Sequence, residues 1–186
     1  NVGGGHQMNV AVGGEGLNER GVFRHMGQHP QLDLRIIGGQ QDGPYKIFYE
    51  NGKAKEEGVY RGGKLEGPYK LFYENGELKE YGMSRNGKLE GLIKVYFESG
   101  KLSSEESYQS GKRNGPYKIY FEDGKAKEEG SAMDGRKHGV VKTYYPGGKV
   151  RYADTYNKGS LVERKAYDED GQLQGDPTDA ALGAQR

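Results

Sequence analysis

Three acidic residues on one register, Glu56, Glu80 and Glu128, stand beside tyrosine-rich runs and are the first residues that could do chemistry. Paired carboxylates are what glycoside hydrolysis needs: one protonates the leaving oxygen, and its partner, about 5–9.5 Å away in an unsymmetrical cleft, attacks or activates water. A catalytic pair breaks a repeat, whereas these acids keep one. The reading is therefore of a chain that is not an enzyme and has no catalytic residue. Five lysines, Lys46, Lys70, Lys94, Lys118 and Lys142, recur in the same way and could line a track for a polyanion. Hairpin pairing sets Lys46, Lys94 and Lys118 against Glu57, Glu105 and Glu129, which neutralises most of that track. His6, His25 and His29 fall near the start, yet without Cys or clustered acids they do not make a metal site. The DEDG at Asp168 to Gly171 has Ala166 where a calcium loop needs an acid, and GGGH at Gly3 to His6 lacks the Lys-Ser/Thr of a phosphate loop. No cofactor is expected.

What must position all these residues is a unit of 24 residues, marked by Gly43, Gly67, Gly91, Gly115 and Gly139. The units read DGPYKIFYENGKAKEEGVYRGGKL, EGPYKLFYENGELKEYGMSRNGKL, EGLIKVYFESGKLSSEESYQSGKR, NGPYKIYFEDGKAKEEGSAMDGRK and HGVVKTYYPGGKVRYADTYNKGSL. A fixed period of this size means stacked supersecondary units, with function on a repeated surface rather than in one pocket. Each unit holds two strand-like runs around Asn-Gly or a relative, the strongest short hairpin signal. The inner turns are expected at Asn51-Gly52, Asn75-Gly76, Ser99-Gly100, Asp123-Gly124 and Gly147-Gly148. Turns between units are expected at Gly62-Gly63, Asn86-Gly87, Ser110-Gly111, Asp134-Gly135 and Lys158-Gly159. The repeated glycine itself is read as one of the ladder's turn positions.

A two-residue inner loop would set Glu50 against Lys53, Tyr49 against Ala54, Phe48 against Lys55, Ile47 against Glu56 and Lys46 against Glu57. The same register opposes Glu98 to Lys101, Glu122 to Lys125 and, unfavourably, Glu74 to Glu77. One face then carries Tyr45, Ile47 and Tyr49 and their copies, the other Phe48, Phe72, Tyr96, Tyr120 and Tyr144 among the lysines. Five units of two strands span roughly 50 Å at ~4.8 Å per strand. The fold expected is all-β: an elongated, single-layer antiparallel sheet of consecutive hairpins.

Composition fits a thin fold. Hydrophobic residues are 32% and charged residues 30%, with a mean hydropathy of −0.99, close to the border of disorder. Fifteen Tyr and five Phe supply the apolar bodies that a thick aliphatic core would otherwise provide. A net charge of +1 offers no field for nucleic acid or an anionic membrane surface, and no apolar run is long enough for membrane insertion. The start at Asn1 rather than Met leans the expectation towards a secreted or cell-surface protein.

The domain expectation has three parts: residues 1–41 as a degenerate repeat, cap or donated strand, 42–174 as hairpin repeats, and 175–186 as a tail. Within the first, a degenerate hairpin is expected at about 21–37 with Gly27-Gln28 in its turn, preceded by a strand through Met8, Val10 and Val12. At the other end, Glu163 to Asp168 followed by Asp170-Gly171 reads as a sixth inner hairpin with its turn displaced by one residue.

The phrases NGPYKIYFEDGK, EGPYKLFYENGE and HGVVKTYYPGGK resemble the MORN repeat variant common in bacterial proteins, including a family of antitoxins from toxin–antitoxin pairs. The resemblance covers about residues 42–174. It implies a single-layer sheet of consecutive hairpins and a scaffold or adaptor role, with an antitoxin role as a further possibility. The function expected is a non-enzymatic module binding protein or glycan on an aromatic-lined face, through Tyr45, Tyr49, Tyr69, Tyr73, Phe97, Tyr117, Phe121 and Tyr145. The alternative is a subunit that builds an extracellular filament, its bare edge strands extended by another copy, with His6 to Gly14 as the donated strand.

Overall fold

The computed structural model describes residues 22–24, 32–37 and 39–174, which are strand and turn throughout. The strands are β1 (Val22–Arg24), β2 (Leu32–Ile37), β3 (Gln40–Gln41), β4 (Gly43–Phe48), β5 (Ala54–Arg61), β6 (Lys64–Leu65), β7 (Gly67–Phe72) and β8 (Leu78–Arg85). They continue as β9 (Lys88–Tyr96), β10 (Leu102–Gln109), β11 (Lys112–Tyr120), β12 (Ala126–Met133), β13 (Arg136–Tyr144), β14 (Val150–Asn157) and β15 (Ser160–Ala166). All lie in one antiparallel sheet. Thirteen follow chain order across it, while the two-residue β3 and β6 pair with β2 and β5. The expected single-layer ladder of hairpins is therefore the fold.

β1 and β2 pair as the first hairpin, with Phe23 opposite Leu34 where a copied register would have placed Leu32. β2 then meets β4 through Leu32 and Ile47, as β5 meets β7 through Glu56 and Leu71. The expected strand through Met8, Val10 and Val12, the donated segment His6 to Gly14, the turn at Gly27-Gln28, residues His6, His25 and His29, and the tail at 175–186 lie outside the described residues.

The two rows of turns differ in kind. Between units both central residues have positive φ, as at Asn86 (53°) and Gly87 (75°), which is the type I′ geometry whose twist matches the flanking strands. Arg85 accordingly faces Lys88, and Met133 faces Arg136. The inner turns instead have three-residue loops. Tyr49 N–H donates to Lys53 O (2.8 Å) and Gly52 N–H to Tyr49 O (2.9 Å), so Glu50, Asn51 and Gly52 form the loop and only the glycine has positive φ. The expected pairs Glu50–Lys53, Tyr49–Ala54 and Phe48–Lys55 are thereby corrected. Phe48 faces Ala54, and Tyr73 rather than Glu74 meets Glu77. Lys55 then bulges out of the ladder, restoring the expected pairs Ile47–Glu56 and Lys46–Glu57. Asp168 to Gln172 closes by the same pair of hydrogen bonds, one residue out of step with the other units.

The repeated glycine is not a turn. Gly91 and Gly139 sit inside β9 and β13, where Gly91 to Ile93 oppose the single Gly82, and Gly139 to Val141 oppose Gly130. Gly43, Gly67 and Gly115 hold φ of 106°, 101° and 111°, a region closed to residues with a Cβ. A bulge repeated at one level of every unit bends each first strand towards the same side. Just beyond it lie Tyr45, Tyr69, Ile93, Tyr117 and Val141, each 1–4% exposed, which form the buried column of the sheet. Gly115→Ala combines that φ with a Cβ 3.2 Å from Ser107 Cβ. It should lower the stability read from the urea midpoint by roughly 1–3 kcal/mol while leaving the far-ultraviolet spectrum unchanged.

Candidate functional site

A sheet without a second layer must cover its own face, and Tyr45 and Tyr69 do so by lying over glycines on the next strand, while Val141 covers the equivalent Gly130. Tyr45 pairs with Gly58, Tyr69 with Gly82 and Tyr117 with Gly130. A Cβ at Gly58 would stand 2.9 Å from Tyr45 Cε1, and one at Gly82 would stand 3.0 Å from the Tyr69 hydroxyl and collide with Ile93 Cδ1. The phenols end on the acids that first suggested chemistry. Tyr45 donates to Glu56, Tyr69 to Glu80 (2.5 Å) and Tyr117 to Glu128 (2.7 Å), while Glu128 also pairs with Lys137 at 2.8 Å. Each acid thus completes the polar end of a buried ring.

Units three and five change the whole set together. Ile93 and Val141 replace the tyrosine, Ser104 and Tyr152 replace its carboxylate, and Glu106 and Asp154 occupy the glycine position. Glu106 is held by Arg113 at 2.8 Å. Asp154, 3% exposed, receives Arg164 through two bonds of 2.8 and 2.7 Å. An aliphatic side chain leaves room that the tyrosine ring takes elsewhere, so the acid moves inward and recruits an arginine. The signal stood in the aligned units as the columns Tyr, Tyr, Ile, Tyr, Val against Gly, Gly, Glu, Gly, Asp, and was missed.

The eight expected binding-face rings divide into two groups. Tyr45, Tyr69 and Tyr117 are in the buried column and occupied by the fold, whereas Tyr49, Tyr73, Phe97, Phe121 and Tyr145 are half-buried. Tyr49, Tyr73 and Tyr145 donate to carbonyls one hairpin further on, those of Phe72, Tyr96 and Tyr167. Lys55, Lys79, Lys127 and Arg151 lie 5.5–5.9 Å over the rings of Tyr49, Tyr73, Phe121 and Tyr145. At Phe97 the corresponding residue is Ser103.

The opposite face carries the lysine row as a ladder of alternating charge. Glu57 is 3.2 Å from Lys46 and 3.5 Å from Lys70, Glu105 is 3.0 Å from Lys94, and Glu129 is 3.3 Å from Lys118. Tyr120 and Tyr144 add their hydroxyls to Glu105 and Glu129. The expected cross-turn pairs of Glu50, Glu98 and Glu122 with lysine are absent among the described residues. Lys53 donates instead to Asn75 O (2.7 Å), and Lys125 to Pro146 O (3.1 Å) and Asp123 (3.4 Å).

Beside that ladder runs an apolar row that changes character halfway along. In β5 and β8 the positions next to Pro44 and Pro68 are Val59 and Met83, but in β10 and β12 they are Ser107 and Ser131. The small residues leave an open trough of ≈ 530 Å³ walled by Leu92, Pro116 and Val140, with Glu105, Lys118, Glu129 and Lys142 along one side. Leu92 and Val140 are 48% and 56% exposed. The trough belongs to the third, fourth and fifth units.

Comparison with protein families matches the MORN repeat variant at residues 41–61, 65–86, 89–110, 113–131 and 137–158, more than half of the chain. The chain belongs to the MORN repeat variant family. Such repeats are generally non-catalytic and serve as interaction scaffolds. A search of the curated proteins finds no match. Among the described residues no helix is long and apolar enough to cross a membrane, and no group of three or more His, Asp or Glu is placed to hold a metal ion.

The tyrosine–glutamate cells make stability depend on pH. Burial, and then the hydrogen bond and charge of the partner glutamate, raise Tyr45, Tyr69 and Tyr117 well above the ordinary 10.0. The same causes push Tyr144 up to about 12. A phenol raised in the folded state contributes stability that is complete below about pH 10 and is lost as pH rises through the folded value. Glu105 and Glu129 have the opposite sign: hydrogen bonds from Lys94 and Tyr144 hold them below 4.5, so their contribution is lost as pH falls through the lowered value. Urea midpoints should therefore drop above about pH 10. Replacing Tyr45, Tyr69 and Tyr117 together by Phe should cost about 0.5–1.5 kcal/mol per site at pH 7 and make the alkaline drop shallower. An equally steep drop in the triple variant would refute this origin.

Proposed function

We propose that the chain is a non-catalytic scaffold that seats an extended segment of a protein partner in the trough between Leu92 and Val140. The observation that supports it is the exchange of Val59 and Met83 for Ser107 and Ser131, which opens a floor between exposed apolar walls. Exposed apolar surface gains ~25 cal/mol per Å² when a partner covers it. The flanking Glu105, Lys118, Glu129 and Lys142 can set the register of polar groups on the segment. The half-buried rings Tyr49, Tyr73, Phe97, Phe121 and Tyr145 offer a second strip on the other face for stacking a glycan ring or an apolar side chain, and of the five only Phe97 has no cation over it among the described residues.

A peptide library selected on the full chain tests this reading. Selected peptides should lose at least about tenfold in affinity, equivalent to 1.4 kcal/mol, when Ser107→Leu and Ser131→Leu fill the trough as Val59 and Met83 fill it in the earlier units. Unchanged binding to the filled variant would place the seat elsewhere.

A second reading, self-assembly by strand addition, is favoured by the last strand. Among the described residues β15 ends the strand order, met on its outer side only by Leu173 and Gln174 at Tyr167 and Ala166, and its Leu161 and Val162 are 45% and 64% exposed. An open apolar edge is a template for a further strand. Assembly by this route should show as filaments in electron micrographs of the full chain. Leu161→Pro should abolish them, because proline cannot support an added ladder.

A further inference from the structure

The alternation of turns along the chain separates charge across the width of the sheet, which the net charge of +1 conceals. Arg61, Lys64, Arg85, Lys88, Lys112 and Arg136 flank the turns between units, and Lys158 lies in the last of them; all are exposed. Of these seven, only Lys112 has a carboxylate within 4.0 Å among the described residues, Asp134 at 3.8 Å. Of the other acids at this edge, Asp42, Glu66 and Glu90 are half-buried and accept the backbone N–H of Gly62, Asn86 and Ser110 at 3.2, 2.7 and 2.9 Å, and Glu163 pairs with Lys165 at 3.4 Å. The opposite long edge is formed by the three-residue loops. Glu50, Glu74, Glu98, Glu122 and Glu169 begin five of them, and Glu77, Asp123 and Asp170 follow, against the four lysines Lys53, Lys101, Lys125 and Lys149; two residues inward from the loops, Lys55, Lys79, Lys127 and Arg151 are turned over the rings of Tyr49, Tyr73, Phe121 and Tyr145, which leaves the acids in excess only at the loop tips. Lys53 and Lys125 donate to loop carbonyls of the next unit.

Both edges repeat every two strands, a pitch of ~9.6 Å, because they belong to one sheet. We propose that the acidic edge of one copy docks along the basic edge of a second, side by side and in register turn for turn. The occupant fits because its own acidic edge has the complementary sign and an identical pitch. Each exposed pair is worth only ~0–1 kcal/mol, so the contact depends on several turns engaging at once. Since a Debye length of ~10 Å at 0.1 M salt grows to ~30 Å at 0.01 M, neighbouring turns reinforce one another mainly at low ionic strength. The two edges differ, so the contact is heterologous and adds copies laterally instead of closing a dimer.

Sedimentation of the full chain tests this. In about 0.01 M salt the species should be at least twice the monomer mass of 20.6 kDa, and in about 0.5 M salt it should return to that mass. A variant carrying Arg85→Glu, Lys88→Glu and Lys112→Glu, and a second carrying Glu74→Lys, Glu98→Lys and Glu122→Lys, should each be monomeric alone and should sediment together when mixed at low salt. Leu161→Pro should leave this association intact, which separates it from strand addition at β15. A wild-type chain that stays monomeric at low salt, a single-edge variant that still self-associates, or a mixture no heavier than its parts would each overturn the proposal.

Discussion

The seating of a tyrosine ring on a glycine governs this structure because a single-layer sheet has no second layer to pack against. In most domains an apolar face is covered by another element; here Tyr45 and Tyr69 fold down over Gly58 and Gly82 of the neighbouring strand, and Val141 covers Gly130. A Cβ at any of those glycines would fall within 3 Å of a packed side chain. The ring needs a partner at its hydroxyl because burying that group unpaired would forfeit about 1–3 kcal/mol of what the ring gains. Glu56, Glu80 and Glu128 supply it.

The changes in units three and five follow from that requirement. Removing the ring frees the space over the glycine position, which then admits Glu106 or Asp154, and a carboxylate at that depth requires the guanidinium of Arg113 or Arg164. These units also contribute Leu92 and Val140, where the others have proline. The inner change and the opening of the trough on the far face therefore occupy the same stretch of sheet. Repetition makes the scaffold, and departures from it distinguish one segment of surface from another.

Much of the fold was legible because a hairpin ladder is local. Asn86-Gly87 and its copies specify their own geometry, and the lysine–glutamate row follows once strand register is known. The inner turns were harder, since Asn51-Gly52 serves equally well as a two-residue loop or as the end of a three-residue loop. The second alternative was compensated by the bulge at Lys55, so the distant pair Lys46–Glu57 came out right while the near pairs did not. The bulge at the repeated glycine was not legible at all, because a glycine that turns a chain and one that bends a strand look alike in sequence.

The sequence by itself determined the repeat, the antiparallel order and the alternation of faces, all of which depend on residues within one or two hairpins of each other. Only the tertiary structure decided which rings are buried, where the carboxylates go and which floor stays open. Those outcomes depend on where each bent strand sets its side chains relative to its neighbours. Tyr45 and Tyr49 are both tyrosines on one strand run, yet the first is buried and the second half-exposed, because the bulge at Gly43 brings only the first down onto a glycine.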